Sequence, residues 1–419
     1  MTTTNLNAEL DQKIARKIIE QISSFGQPPT FGTQYFTVGL DEYLETLEED
    51  YLSTFIKDGG SSFKMVVGIY GGGKTHFLYN IRDLAWKNNF AVSYVGLKSS
   101  GECPFHKLEL VYKAIINGLV PPLPLEELSQ GYEAGIAAFL RTWYGNKYME
   151  CQRQNFSDQE TQRYIFNEIK LMETISVSFA NAIKEALRAE ANKDNEKFEL
   201  ICQWLKGEGY ERRIHGNYHI LQKIDQTTAF QMIRSLGQAI CQLGYSGLVI
   251  LLDEAENIPS LSTKNREQHL SNLREIIDEC GNPSFNGIML FYAVPNAEFL
   301  NGRTQVYEAL RQRVSTVFDS INYTGVRIEL EKAIPEDGEI IFLKEVGFKL
   351  KGIYEIAYKC SLDQEKCTVL IQQIAEWAYD QRFGDEGFKR PFVQKLIPGF
   401  RFLQKKGYAP SMNDLDNIG

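Results

Sequence analysis

No run of about 18 consecutive apolar residues occurs in the chain, so the sequence predicts no membrane-spanning helix. The first residues, MTTTNLNAELDQK, hold neither a basic stretch nor an apolar core, and no secretion signal is read there. Seven cysteines are scattered through 419 residues without a C-x-x-C pair. That argues against a zinc knuckle and for reduced thiols in the cytoplasm. Histidines number five. His215 and His219 are four apart, with no acidic or cysteine partner in register for zinc. Basic residues are also short: 45 against 54 acidic, a net charge of −9. Proteins that coat nucleic acid with their whole surface are usually basic, so contact here is confined to a local patch. Internal repeats and low-complexity tracts are lacking too.

What remains is ordinary globular material, 43 % apolar and 12 % aromatic, long enough for two or three domains. Helical periodicity marks 8–23 and 40–57, with a Gly- and Pro-rich loop between Phe25 and Phe36. Short apolar or β-branched runs at 63–67, 91–97, 247–252, 287–292 and 325–330 read as buried strands. Helices at 76–88, 265–279 and 303–316 alternate with them. The pattern predicts an α/β fold with a parallel five-stranded sheet. Residues 107–243 are helical without strand-like runs, and 188–198 is either a solvated helix face or a flexible connection. The expected organisation is an N-terminal helical segment over 1–60 and a core of 61–106 with 244–335. A helical insertion fills 107–243, and a helical C-terminal lid covers 336–419.

Gly68-Ile69-Tyr70-Gly71-Gly72-Gly73-Lys74-Thr75 satisfies G-x-x-x-x-G-K-[ST] in full. Glycines permit positive φ and close approach of backbone N–H groups to phosphate. The helix that follows aims its N-terminal dipole at the same anion. Lys74 reaches the β- and γ-phosphates, and Thr75 ligates Mg²⁺. His76, in the first helical turn, approaches the nucleotide. The strand before the motif and the helix after it supply the context this chemistry requires.

Leu248 to Leu252 is an apolar strand ending in Asp253 and Glu254. On a strand neighbouring the P-loop strand, Asp253 serves Mg²⁺ and Glu254 polarises an attacking water. The two carboxylates point to opposite sides if the strand continues. Glu256 either helps the metal shell or plays a surface role. A water-activating Glu favours ATP hydrolysis over the phosphoryl transfer of a small-molecule kinase. After the fourth strand, Asn296 either senses the γ-phosphate, as a polar residue does there in AAA+ ATPases, or caps the next helix. Arg313, ahead of Arg311, is the candidate arginine finger reaching a neighbouring subunit, or both lie on a solvated basic face. Arg390, in GFKRPF, is either a second sensor contributed by the lid or part of a positive surface turn. Lys389 to Lys406 holds six basic residues and no acid, interleaved with Phe392, Phe400 and Phe402. It is either a DNA-contacting patch or the solvated side of a lid helix.

The segments ARKIIEQISSFGQPP, FTVGLDEYLETL, GIYGGGKTHFL and LGYSGLVILLDEAE resemble the P-loop ATP-binding proteins of BREX-type bacterial anti-phage systems. The resemblance covers roughly 10–100 and 220–320, and more weakly 380–405, but not 125–215. That family is AAA+-like and distantly similar to origin-recognition initiators. Its Walker residues fall on Gly68, Gly73, Lys74, Thr75, Asp253 and Glu254. Where it often has Thr-Pro, this chain has Val294-Pro295. The resemblance implies ATP-dependent service in a multi-protein defence complex acting on foreign DNA. If Arg313 is a finger, it demands a neighbour, which predicts a homo-oligomer or hetero-complex. The rival expectations are a nucleotide-gated signalling or scaffold protein with little turnover, and a loader of the DNA-replication or transposition type.

Overall fold

The computed structural model describes residues 10–97, 103–255, 261–296, 300, 305–334, 338–381 and 387–416. Helices α1 (Gln12–Phe25) and α2 (Asp41–Leu47) lead into β1 (Ser61–Val67), α3 (Lys74–Lys87) and β2 (Phe90–Gly96). Then come α4 (Leu108–Asn117), the two-residue β3 (Leu119–Val120), α5 (Leu125–Gln130), α6 (Ile136–Arg153) and α7 (Asp158–Lys170). They are followed by α8 (Val177–Ala191), α9 (Asn195–Leu205), α10 (Arg212–His215) and α11 (Ala229–Gln242). The chain returns to the sheet in β4 (Gly247–Asp253), α12 (Thr263–Glu279), β5 (Ile288–Val294), α13 (Gln305–Arg313) and β6 (Arg327–Glu329). It finishes in α14 (Glu339–Tyr358), α15 (Gln364–Asp380), α16 (Lys389–Lys406) and α17 (Met412–Asp416). No described helix is long and apolar enough to cross a membrane.

The strands form one mixed sheet in the order β3-β2-β4-β5-β1-β6. The pairs β2–β4, β4–β5, β5–β1 and β1–β6 are parallel, whereas β3 runs antiparallel on the β2 edge. The expected five-stranded parallel sheet is therefore corrected to a mixed six-stranded one. β3 escaped the reading because two residues before Pro121 and Pro122 carry no periodicity. A second correction concerns neighbours. β5, and not β4, pairs with the P-loop strand β1, so the acidic strand lies one place further along the sheet.

Both sheet faces are covered, which is why these strands are apolar on both sides. Met65, Leu248, Ile250, Leu252, Leu290 and Val294 pack with the helices between β2 and β4. Val66, Val249, Leu251, Phe291 and Ile328 pack with α1, α3 and the C-terminal helices. α1, at the chain's beginning, lies against α14 and α16 and so shares the C-terminal helical layer. One charge is embedded in β1: Lys64 is 1 % exposed. Its amine donates to Tyr51 Oη (2.8 Å), the Gly325 carbonyl (2.6 Å) and the Tyr323 carbonyl (3.1 Å). Burial pushes it down to about 7.

Two predicted helices are subdivided. The span 40–57 is α2 followed by a π-helical stretch, Glu48–Phe55, in which Thr54 Oγ1 donates to the Glu49 carbonyl at 2.9 Å. The polar span 188–198 is the end of one helix, a three-residue turn and the start of the next. α8 ends, Lys193 turns at φ 57°, and Asp194 caps α9 by accepting from the Lys197 N–H.

Candidate nucleotide site

Parallel strands put their carboxyl ends on one side of the sheet, where α/β proteins place their ligand crevice. β1 ends in the P-loop there, β4 in Asp253, β5 two residues before Asn296, and β2 in Gly96. The start of the P-loop is fixed to the neighbouring strand by Gly68 N–H donating to the Val294 carbonyl at 3.1 Å. Gly71 (φ 73°) and Gly73 (φ 103°) adopt the left-handed region that glycine alone enters without strain. A Cβ on Gly72 would lie 2.9 Å from the Ile69 carbonyl, so this glycine is required for space. Gly73 caps α3 and leaves the helix's first N–H groups facing the loop. Lys74 is buried and donates to the Gly68 (2.8 Å) and Ile69 (3.2 Å) carbonyls.

Thr75 and Asp253, 178 residues apart, meet directly. Thr75 Oγ1 donates to Asp253 Oδ2 at 2.7 Å. Asp253 is 1 % exposed, and the rest of its carboxylate is satisfied. Tyr94 of β2 donates its hydroxyl to the same Oδ2 at 2.7 Å, and the Glu254 N–H donates to Oδ1 at 2.8 Å. Burial first, and the Asp253 charge second, drive the Tyr94 hydroxyl far above its usual range, so it remains a proton donor. Tyr94 was not among the residues singled out from sequence. Its position in an alternating apolar strand gives no signal of a polar task.

Glu254 corrects the expectation of opposite faces along a continuing strand. β4 stops at Asp253, and Glu254 turns away with φ 60°. A left-handed non-glycine residue costs about 1–3 kcal/mol, a strain that clusters at functional sites. Its carboxylate lies over β2 at Gly96, where a Cβ would stand 3.3 Å from Glu254 Oε2. Glu256 lies outside the described residues.

The first residues of α16 and the turn before it are bonded to the P-loop. The Gly387 N–H donates to the Tyr70 carbonyl at 2.8 Å, and Arg390 Nη1 donates to Tyr70 Oη at 2.7 Å. Lys389 Nζ donates to the Gly72 carbonyl at 2.6 Å, and burial pushes that amine down to about 8. From the other side, Glu331 Oε1 accepts from the Ile69 N–H at 2.8 Å. Lys389 and Glu331 were missed because neither belongs to a local motif. In the sequence Lys389 is one of a basic run, and Glu331 simply follows the strand read at 325–330.

His76 is directed sideways. Its Nε2 lies 2.8 Å from Thr37 Oγ1, and its ring packs on Phe36 at 4.9 Å. Burial and then the Lys389 charge push it down to about 3, so it stays neutral. Asn296 emerges from β5, between the P-loop and Asp253 in sheet order. Val294, two positions earlier, is a buried core side chain. Arg313 grips Asp278 of α12 in its own chain, with Nη2 to Oδ2 at 3.0 Å, while Arg311 is exposed. In α16, Phe392 and Phe400 are fully buried and Lys389 and Arg390 serve the P-loop. The interleaving of aromatic and basic residues is thus mostly core packing on one side of a helix.

The residues present suit a magnesium nucleotide. Glycines keep the anion cradle open to backbone N–H groups, and one hydroxyl meets one buried carboxylate beside it. Mg²⁺ takes one or two protein ligands and completes its shell with phosphate and water. Among the described residues no cluster of three or more His, Cys, Asp or Glu could form a metal cage of protein groups alone. No curated protein and no solved structure matches the chain. The family model described as BREX system ATP-binding protein BrxC/D matches residues 10–412, and the chain belongs to that family.

Proposed function

We propose that this BREX-family protein is an AAA+-like P-loop ATPase that hydrolyses ATP with Mg²⁺ in a bacterial anti-phage complex. The observation that carries the reading is the Thr75–Asp253 contact, which unites the ends of two non-adjacent parallel strands at the mouth of a complete P-loop. Backbone N–H groups from Gly71 to Thr75 cradle the phosphates, and Lys74 leaves its two carbonyl partners for the β- and γ-phosphates. Thr75 and Asp253 would hold Mg²⁺, which when bound neutralises charge across the phosphates. Glu254 accepts the proton of the attacking water as its oxygen bonds to the γ-phosphorus. The bond to the bridging oxygen breaks, giving ADP and orthophosphate. Asn296 and Arg390 act as sensors. Arg311, exposed, or Arg313, once released from Asp278, completes the site of a neighbouring subunit. The protein works in the cytoplasm within an oligomer or hetero-complex, on DNA or on partner proteins.

The lid bonds to Tyr70 and Gly72 favour a second reading, a nucleotide-gated switch with little turnover. Titration of Mg-ATP into the protein, with orthophosphate release followed in parallel, tests both. Tight binding with steady release supports the ATPase. Stoichiometric binding with negligible release supports the switch. Equal binding by Lys74→Ala contradicts both.

A further inference from the structure

Helix α16 has two basic ends, and only the first belongs to the nucleotide site. From Lys389 to Arg401 the helix runs roughly 18 Å, at 1.5 Å per residue. Beyond that point Arg401, Lys405 and Lys406 line a cavity of about 430 Å³ together with Arg16 of α1 and Tyr358 of α14. Phe402 adds an aromatic wall, and among the described residues no carboxylate lines the cavity. Glu20 pairs with Arg16 from one turn further along α1, at an exposed position where such a pair is weak. Four cations with no lining acid among the described residues, in a chain of net charge −9, concentrate positive potential at one place.

The cations are arranged around aromatic rings. The Arg16 and Arg401 guanidinium carbons lie 5.6 and 5.2 Å from the Tyr358 ring centre. Gln404 Oε1 accepts from Arg401 Nη1 at 3.0 Å and from Tyr354 Oη at 2.9 Å, which fixes the guanidinium at the rim. Guanidinium planes and rings beside ammonium groups suit a strand that offers phosphates and unstacked bases together. A duplex keeps its base faces stacked and would leave the rings unused.

We propose that this cavity binds single-stranded nucleic acid, its phosphates held by Arg16, Arg401, Lys405 and Lys406. The proposal supplies a DNA-contacting surface for the ATPase reading above, and rests on that reading only for what ATP hydrolysis achieves. The two sites share their framework. Gly26, which ends α1, packs so closely on α16 that a Cβ there would lie 2.9 Å from Arg390 Cγ. α1 therefore touches the P-loop's lid at one end and frames the cavity through Arg16 at the other.

The test is fluorescence anisotropy of a labelled oligothymidylate of about 16 nucleotides with the full chain. Binding of a fluorescent ATP analogue is read in the same samples. Replacing Arg401, Lys405 and Lys406 together by Glu should weaken oligonucleotide binding about tenfold or more. It should also flatten the salt dependence by roughly two ions. The control Arg212→Glu/Arg213→Glu, on exposed α10, should bind like the wild type. Should the triple variant lose ATP binding too, the exposed pair Lys405→Gln/Lys406→Gln decides, with a loss of about threefold expected. Unchanged affinity in the deciding variant, an equal loss in the control, or equally tight binding of the matching duplex overturns the proposal. Absent oligonucleotide binding with ATP binding intact sinks the cavity and leaves the nucleotide reading standing. Absent ATP binding in the wild type sinks that reading instead.

Discussion

At the scale of single residues, the centre of the account is one carboxylate with three donors. Asp253 receives Thr75, Tyr94 and the Glu254 N–H, so its two oxygens are oriented before any ligand arrives. Removing the Tyr94 hydroxyl should loosen that orientation without touching nucleotide. Tyr94→Phe should raise the Mg²⁺ concentration needed for half-maximal turnover about tenfold, as losing a partner of a ligating carboxylate does. Saturating kcat should be nearly restored. A shifted kcat at unchanged Mg²⁺ dependence would assign Tyr94 another role. A second residue-level prediction concerns acid. His269 is 4 % exposed, its Nε2 lies 2.7 Å from Tyr292 Oη, and burial pushes it down to about 3. Because the unfolded chain takes up the proton first, stability from this group is complete above pH 6.5 and lost as pH falls towards 3. Urea midpoints between those pH values should show the loss, and His269→Gln should flatten it. Gly71, Gly73, Lys74, Thr75, Asp253 and Glu254 were legible in sequence because a phosphate loop and a strand exit are local patterns. Tyr94, Lys389 and Glu331 were not, because their importance lies in neighbours that only the folded chain supplies.

At the scale of elements, α16 contacts the P-loop through Lys389 and Arg390 and the core through Phe392 and Phe400. Phe400 is fully buried, its ring 5.5 Å from Tyr354. Phe400→Ala should cost about 3–5 kcal/mol in urea unfolding, the usual cost of a deleted core aromatic. Near-native stability would return Phe400 to the surface. Gly387 meets the P-loop so tightly that a Cβ would stand 2.8 Å from both the Gly71 carbonyl carbon and the Tyr70 carbonyl oxygen. Gly387→Ala should therefore push the start of α16 off the loop and change nucleotide affinity while the sheet stays folded, as equilibrium titration and circular dichroism would read. Five strands were legible from their apolar runs. β3 was not, and neither was the place of β5 between β1 and β4, since strand order depends on crossovers that no local pattern records.

At the scale of the molecule, one sheet divides two apolar cores, and the candidate nucleotide site lies at its carboxyl edge. Arginine Arg311 of α13 is exposed, and Arg313 is held by Asp278. If either completes a neighbour's site, specific ATPase activity should rise steeply with protein concentration, and Arg311→Ala or Arg313→Ala should abolish that rise. Activity per molecule that is independent of concentration would argue for a self-sufficient subunit. The central claim, the proposal that this edge hydrolyses ATP, is argued from Glu254 turned out of its strand beside the Thr75–Asp253 contact. The most direct measurement is steady-state orthophosphate release by Glu254→Gln against the wild type, with ATP binding followed alongside. The account predicts retained ATP binding and turnover lower by about 100-fold or more, the scale of a lost general base. Release at the wild-type rate would contradict it.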